Sequence, residues 1–460
     1  MWKMRATEVA SAVRSGRISA AEVVEAHLER IAAVNPAVNA VTALLAGSAR
    51  SAAADLDRRR AAGEEPGPLA GVAFTVKENI DIAGVPTTHG VPRFRDNVAD
   101  ADAPPVARLR AAGAIPIGHT NMPDLTIGGS TRSQLFGETV NPWGTIRDPG
   151  ATSGGDGAAV AAGMAAIGLG NDSGGSVRGP ALCCGVTALN PSYGRFPMEH
   201  RVGGRDPALA SQLFPKDGPI ARSVGDLRAA FEVLAGTDSR DPRAVPAPLD
   251  GPAPTGPVRV AVTADPGGLG VDPRVRAEIE RAAGVLSDAG YAVEERDVPA
   301  LPEALHCYGK LITTEFGLSW PRIRPLLTDD SARHMELSLR RQPPVSLPDY
   351  VRATADRHRI TSDWLRFLAH YPLVLGPVST EPPGDVDGQP DEEQFLRFAL
   401  AARLCTVTSF VGVPAVAVPT GVSGGVPMGV QVIGRPFRED LCLTAAGAIE
   451  AALGTLTPVG

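Results

Sequence analysis

Short apolar runs alternate with helical patterns along the chain, and this alternation restricts the fold more than any other feature. A helical pattern over residues 106–112 separates the first two runs. The runs are residues 72–76, 115–117, 167–170, 258–262, 411–419 and 426–433. Strands that alternate with helices are typical of α/β proteins. The sequence therefore predicts an α/β fold.

Charge, hydropathy and cysteine usage exclude several classes of partner. The net charge of −7 comes from interspersed acidic and basic residues without a basic stripe, so nucleic acid is not expected as a partner. No apolar run approaches the roughly 18 residues of a membrane span, and the N-terminus lacks the apolar core of a secretory leader. The five cysteines form neither a disulfide framework nor a CxxC metal motif. We expect a cytoplasmic protein with no metal and no cofactor.

Lysine is scarce in this chain, which draws attention to one lysine in an apolar setting. There are four lysines against 40 arginines, and Lys77 follows the apolar run 72–76 directly. A lysine at a strand end usually extends its amine to solvent. In a dry pocket, however, its pKa falls and the neutral amine can act as a base. Lys77 is therefore a candidate base.

A glycine-dense segment, Gly-Ala-Thr-Ser-Gly-Gly-Asp-Gly, occupies residues 150–157 and precedes a small-residue helix at 158–166. Glycine lets backbone segments approach closely and turns N–H groups in unusual directions. A dinucleotide-binding loop has a similar composition, but it must follow a strand, and residues 145–149 show no clear strand. A nucleotide cofactor is therefore not expected here.

A second glycine-containing segment, Asn-Asp-Ser-Gly-Gly-Ser-Val-Arg, occupies residues 171–178 after the apolar run 167–170. Two glycines before Ser176 predict a tight turn that exposes the serine hydroxyl. Such a turn directs successive backbone N–H groups to one point, as an oxyanion hole requires. Taken alone, the Gly-Gly-Ser pattern is more typical of a plain loop.

Together these segments resemble the amidase-signature enzymes, whose pattern is roughly G-G-S-S-G-G-S followed by D-T-G-G-S-[IV]-R-x-P-A. The chain has Gly-Ala-Thr-Ser-Gly-Gly-Asp and then Asp-Ser-Gly-Gly-Ser-Val-Arg-Gly-Pro-Ala. Residues 71–84 resemble the lysine block of the family, and further matches continue to residues 412–437. The resemblance implies a central mixed β-sheet covered on both faces by helices. It also implies a serine hydrolase that cleaves the C–N bond of a small organic amide.

The resemblance also implies the roles of individual residues. Ser176 matches the nucleophile, Lys77 the base, and Thr152 the bridging serine that follows a cis peptide bond in the family. The backbone N–H groups of four residues are expected to bind the oxyanion: Ser173, Gly174, Gly175 and Ser176. Asp172 and Arg178 are expected to brace the loop by a salt bridge. Adjacent Cys183 and Cys184 match an apolar packing position and are expected in the core.

Thr152 departs from the family pattern. Threonine keeps the hydroxyl but adds a methyl group and restricts χ1. Three outcomes stay open: the relay works through Thr152, Ser153 takes its place, or the site is degraded or repurposed. Asp156 is a further departure, at a position where serine is common.

We expect one amidase domain in four parts: an N-terminal helical segment (1–65), the signature core (66–240), a variable, mostly helical segment that shapes the substrate site (241–395), and the C-terminal part of the core (396–460).

The leading hypothesis is an amidase that forms an acyl-enzyme on Ser176 with a small-molecule amide or acyl substrate. The alternatives are an amide-forming acyltransferase, the amidase component of a tRNA-dependent amidotransferase, and a catalytically silent binding protein. The sequence leaves the oligomeric state open, including a homodimer. Helix packing is the expected role of four central aromatic residues, which are Tyr308, Phe316, Trp320 and Trp364.

Overall fold

The computed structural model describes residues 1–385 and 390–456. Its helices are α1 (Ala6–Arg14), α2 (Ala20–Val38), α3 (Ala46–Ala61), α4 (Pro104–Ala111), α5 (Gly154–Ala161), α6 (Arg178–Cys184), α7 (Leu209–Leu213), α8 (Val224–Leu234), α9 (Pro273–Asp288), α10 (Leu301–Ile323), α11 (Asp329–Arg341), α12 (Leu347–His370), α13 (Glu392–Ala401), α14 (Arg403–Val411) and α15 (Glu439–Leu453). Within these described ranges, no helix combines the length and the apolar character that a membrane crossing needs.

The strands are β1 (Val41–Leu44), β2 (Ala73–Lys77), β3 (Ile115–Thr120), β4 (Arg132–Ser133), β5 (Gly137–Glu138), β6 (Ile167–Asp172), β7 (Thr187–Asn190), β8 (Lys216–Ala221), β9 (Arg259–Val262), β10 (Ala292–Glu295), β11 (Leu373–Pro377), β12 (Ala415–Ser423) and β13 (Val426–Gly434). Eleven of them form one sheet in the order β1-β3-β2-β6-β8-β7-β12-β13-β11-β9-β10. Strand β2 is parallel to β3 and β6, whereas β6 and β8 are antiparallel, so the sheet is mixed. Helices flank this sheet, and the predicted α/β fold is confirmed.

The parallel pairing of β2 with β6 determines where the candidate residues meet. Phe74 is paired with Ile167 and Val76 with Leu169, so the carboxyl ends of the two strands lie side by side. Every residue of both strands is buried, as expected for strands inside a sheet that is covered on both faces. Lys77 at the end of β2 is therefore brought to the same edge as the last residues of β6.

Several predicted boundaries were wrong, among them the starts of α5 and β12. Helix α5 begins at Gly154, not at residue 158, so its first turn is made from the glycine-dense segment. A Cβ on Gly155 would lie 2.5 Å from the Asn121 carbonyl oxygen, so only glycine lets this turn pack there. Strand β12 begins at Ala415, not at residue 411, because α14 continues to Val411 and ends at Gly412, whose φ is +79°.

The segment 241–395 contributes strands to the sheet as well as helices. It supplies strands β9, β10 and β11, which form one end of the sheet. Between β10 and β11 lie the three helices α10, α11 and α12. Helices α10 and α12 pack with α14 over a buried apolar cluster that includes Trp364 and Phe410. This packing brings α10 close to the end of β6.

Candidate active site

The amine of Lys77 lies at the centre of a fully buried group of polar side chains. Its Nζ is 2.6 Å from Thr152 Oγ1, 2.9 Å from Ser153 Oγ and 2.8 Å from Asn171 Oδ1. Lys77 comes from β2, Asn171 from β6, and the two hydroxyls from the residues that lead into α5. Three separate elements thus converge on one amine.

Burial lowers the pKa of Lys77 from 10.5 to about 7, because the charged form loses its hydration. The carboxylates of three buried aspartates oppose this shift: Asp156, Asp172 and Asp217. Burial also raises the pKa of Asp156 from 3.8 to about 7, although the hydroxyl of Thr75 donates to it at 2.9 Å. A substantial neutral fraction of Lys77 is therefore present near neutral pH.

The two hydroxyls beside Lys77 have different surroundings. Thr152 borders the large cavity described below, whereas Ser153 is fully buried and donates to the backbone oxygen of Asn171 at 3.2 Å. Ala151 before them has a φ of +60°, and no peptide bond in the described residues is cis. The cis bond implied by the resemblance is thus absent before Thr152. Of the two hydroxyls, that of Thr152 lies between Lys77 and the cavity.

Strand β6 leads into the loop that carries Ser176, and this loop is wrapped around the buried Asp172 carboxylate. Asp172 Oδ1 accepts the N–H groups of Gly174 at 3.1 Å and Gly175 at 2.7 Å, and Oδ2 accepts that of Val177 at 3.2 Å. Gly175 has a φ of +122°, which favours glycine. The loop thus ends with Ser176 on the cavity wall.

The two side chains expected to brace this loop, Asp172 and Arg178, form a fully buried ion pair. Arg178 Nε and Nη2 each lie 2.9 Å from a different oxygen of Asp172. Burial alone would raise the pKa of Asp172, but the guanidinium of Arg178 and the N–H of Gly175 hold it well below its ordinary value. Arg178 also donates to Thr408 Oγ1 at 2.6 Å, which ties the loop to α14.

The four backbone N–H groups expected at the oxyanion divide into two pairs. Those of Gly174 and Gly175 donate to Asp172, as described above. Those of Ser173 and Ser176 make no hydrogen bond to any residue that the structure describes. Two donors of the predicted set are therefore engaged by the carboxylate, and two are unengaged.

Ser176 and Thr152 border one cavity of about 1220 Å³. Its wall includes aromatic and aliphatic side chains, among them Ile127, Leu182, Leu305, Tyr308, Ile312, Phe316, Met335, Phe395 and Phe398. The hydroxyl of Tyr308, on α10, donates to the backbone oxygen of Ser173 at 3.2 Å. The variable segment therefore contacts the Ser176 loop directly.

Some side chains for which packing was predicted also border this cavity. Tyr308 and Phe316 border it, while Trp364 is fully buried in helix packing as expected. Cys184 is buried as predicted, whereas Cys183 is half-buried: it packs against the core and also borders the cavity. The reason is that one face of α6 packs on the sheet and the other borders the cavity.

The sequence reasoning missed Asn171. It belongs to a segment identified for its glycines and serine, and nothing in the local pattern indicates that its amide faces Lys77. Its position just before Asp172, at the end of a strand adjacent to the lysine strand, is the signal that could have found it.

Comparison with known proteins places the chain among amide-cleaving enzymes. The Amidase family model matches residues 22–443. The indoleacetamide hydrolase of Bradyrhizobium diazoefficiens is 41% identical over 459 residues, which covers 99% of this chain and 88% of that protein. A second indoleacetamide hydrolase, from Bradyrhizobium japonicum, is 39% identical over 81% of this chain and 81% of its own. A solved 6-aminohexanoate cyclic dimer hydrolase with bound substrate has a TM-score of 0.84 at 29% identity, covering 98% of this chain and 97% of that one. The resemblance seen in the motifs is confirmed.

Proposed function

Because the chain belongs to the amidase family and is a hydrolase of amide C–N bonds, we propose that its substrate is the primary amide of an arylacetic acid. Indole-3-acetamide is the representative compound, as the name of the indoleacetamide hydrolase relatives suggests. The observation that carries this proposal is the cavity beside Ser176, whose wall is rich in aromatic and aliphatic side chains. Such a wall binds a flat apolar ring, and the polar groups at its end position the amide.

Gly179 supports an acyl group of this size. It lies three residues after Ser176, in the first turn of α6, and borders the cavity. A Cβ built on Gly179 has no described atom within 4 Å, so the absence of a side chain leaves open space next to the nucleophile. This position is the variable one between the arginine and the proline of the family pattern. We propose that the missing side chain at Gly179 leaves room for the ring of the substrate.

In the proposed mechanism the neutral amine of Lys77 accepts the proton of Thr152 while Thr152 accepts that of Ser176. Ser176 Oγ then bonds to the amide carbon, and the carbonyl oxygen becomes an oxyanion. Return of the proton through the same relay to the nitrogen breaks the C–N bond and releases ammonia. Water next attacks the acyl ester with the relay again as base, which releases the carboxylic acid and restores Ser176.

The oxyanion is stabilised in this proposal by the unengaged N–H groups of Ser173 and Ser176. The N–H groups of Gly174 and Gly175 hold the loop in shape through Asp172. Donors fixed in advance stabilise the transition state because they need no reorganisation during the reaction. The buried pair of Asp172 and Arg178 supplies this fixed geometry.

The test combines active-site labelling with a series of amides. We expect a fluorophosphonate probe to label Ser176, as mapped by mass spectrometry, and the label to be lost in Ser176→Ala. In ammonia-release assays, kcat/KM for indole-3-acetamide and phenylacetamide should exceed that for acetamide by about 10- to 100-fold, as burial of an aromatic side group contributes about 1.5–3 kcal/mol. Absence of labelling would overturn the assignment of Ser176 as the nucleophile. Labelling without preference for the aryl amides would overturn the substrate class alone.

A second test addresses Thr152. We expect Thr152→Val to slow acylation by about 10²- to 10⁴-fold, because the isosteric methyl group cannot transfer a proton. Thr152→Ser is the matched control, since it restores the residue of the family pattern and keeps the hydroxyl. The rate of fluorophosphonate labelling measures attack by Ser176 Oγ, here on phosphorus with loss of fluoride, separately from hydrolysis of the acyl-enzyme. An unchanged rate in Thr152→Val would remove this hydroxyl from the relay.

A further inference from the structure

Two of the three neighbours of the Lys77 amine are fixed as hydrogen-bond acceptors. Ser153 gives its proton to the backbone oxygen of Asn171 at 3.2 Å, so its own oxygen accepts from Lys77 at 2.9 Å. The amide Nδ2 of Asn171 donates to Asn79 Oδ1 at 2.9 Å. That bond turns Asn171 Oδ1 toward Lys77 Nζ, 2.8 Å away.

This arrangement accommodates both forms of lysine, because the Thr152 hydroxyl can accept or donate. A neutral amine has two N–H bonds and one lone pair, whereas the ammonium has three N–H bonds. The ammonium donates one N–H to each of the three oxygens, including Thr152 Oγ1 at 2.6 Å. In the neutral amine Ser153 and Asn171 keep the two N–H bonds, so the lone pair is directed at Thr152 Oγ1, whose hydroxyl then donates. After proton transfer the new N–H donates back to Thr152, and no side chain has to move.

We propose that Asn171 is a positioning residue, which directs the lone pair of neutral Lys77 at the Thr152 hydroxyl. This inference rests on the proposed function, in which Lys77 is the base. The position of Asn171, between the glycine and the aspartate of the segment, is not fixed by the family pattern quoted above. The role is therefore a property of this chain, carried by the bonds among Asn79, Asn171 and Lys77.

The neutrality of the Asn171 amide is essential to the role. A carboxylate at the same place would stabilise the ammonium and raise the pKa of Lys77. Three aspartates act electrostatically on the amine, and they come from α5, from β6 and from β8, the strand beyond β6. Asp172 of β6 is paired with Arg178, and Asp217 Oδ1 of β8 is 2.8 Å from His200 Nε2. The third is Asp156 of α5. Glu78, next on the chain, is turned to Thr88 and His119. An added carboxylate at residue 171 would be in direct contact with Nζ.

The test is the nearly isosteric Asn171→Asp. We expect the acid limb of the pH profile of kcat/KM to move upward by about one to three pH units, the shift that a contacting opposite charge produces. Asn171→Leu removes the acceptor without adding charge. It should lower kcat/KM by at least about tenfold across the profile without moving the acid limb upward. Asn35→Asp is the matched control, because Asn35 lies on α2 and its side chain bonds to the backbone of Ala40 and Val41.

The ionisation of Lys77 can be read without activity. With four lysines in the chain, lysine labelled with carbon-13 at Cε gives few signals, and the signal absent from Lys77→Met identifies Lys77. Its titration midpoint should rise in Asn171→Asp and stay at the wild-type value in Asn35→Asp. Equal midpoints in wild type and Asn171→Asp, or an equal rise in Asn35→Asp, would overturn the positioning role. Full activity of Lys77→Met would instead overturn the proposed relay, so the two failures are distinguishable.

Discussion

Replacing Lys77 with methionine is expected to lower kcat/KM for the preferred amide by about four to six orders of magnitude, the loss seen when one member of a concerted catalytic set is removed. Methionine has a similar length and fits a buried site, but it has no lone pair that can take the proton of Thr152. The initial rate of ammonia release and the rate of fluorophosphonate labelling at Ser176 both measure the effect. Labelling at the wild-type rate in Lys77→Met would contradict the role of base.

The pH dependence of the free energy of unfolding tests two points. It shows whether Lys77→Met is folded and whether the Lys77 amine is buried in the wild type. The pKa of Lys77 is about 7 in the folded protein, against 10.5 for an ordinary lysine. Between these values the unfolded chain binds more protons, so Lys77 makes the free energy of unfolding rise with pH across this window. The variant lacks this contribution, and its stability should rise less between pH 7 and pH 9 in urea titrations. If the free energy of unfolding rises equally with pH in both proteins, the Lys77 amine is not desolvated in the wild type.

Replacing Arg178 with methionine is expected to lower the free energy of unfolding by about 3–5 kcal/mol, because Asp172 would remain as a buried charge without its partner. The loss should be accompanied by loss of fluorophosphonate labelling, since the Asp172 carboxylate shapes the loop that carries Ser176. Urea unfolding followed by tryptophan fluorescence measures the first effect. A midpoint equal to that of wild type would contradict the structural role of the pair.

The matched control for Arg178→Met is Arg5→Met. Arg5 also makes an ion pair, with Glu8 at 2.7 Å, but the two side chains are 56% and 45% exposed. An exposed pair contributes less than about 1 kcal/mol. Loss of stability in Arg178→Met alone would therefore show that burial of the charge, and not loss of an arginine, causes the effect.

The fold could be predicted from the sequence where the signal is local. The apolar runs before Lys77 and before Asn171 became strands β2 and β6. The start of α5 could not be predicted, since glycine has low helix propensity and is placed there by tertiary contact. The order of the eleven strands could not be predicted from the sequence either, because it depends on pairings between distant segments.

The same distinction holds for the site. Lys77 and Ser176 are predicted from the composition of their segments, and Thr152 is predicted from the resemblance to the family pattern. The contact between Lys77 and Asn171 depends on the register of β2 against β6, and no local pattern encodes it. The engagement of Gly174 N–H by Asp172 was likewise hidden, because it depends on which way a buried carboxylate turns.

The placement of α10, α11 and α12 between β10 and β11 has a consequence for laboratory recombination of such enzymes. Residues 296–372 contain no strand, and β10 and β11 are not neighbours in the sheet. An exchange of this stretch between homologous chains therefore replaces α10, which contacts the Ser176 loop, together with α11 and α12, and keeps all eleven strands. An exchange of residues 241–395 would instead remove β11, the strand that pairs with β13. The natural crossover points for grafting a new specificity are therefore the ends of β10 and β11, well inside the segment 241–395.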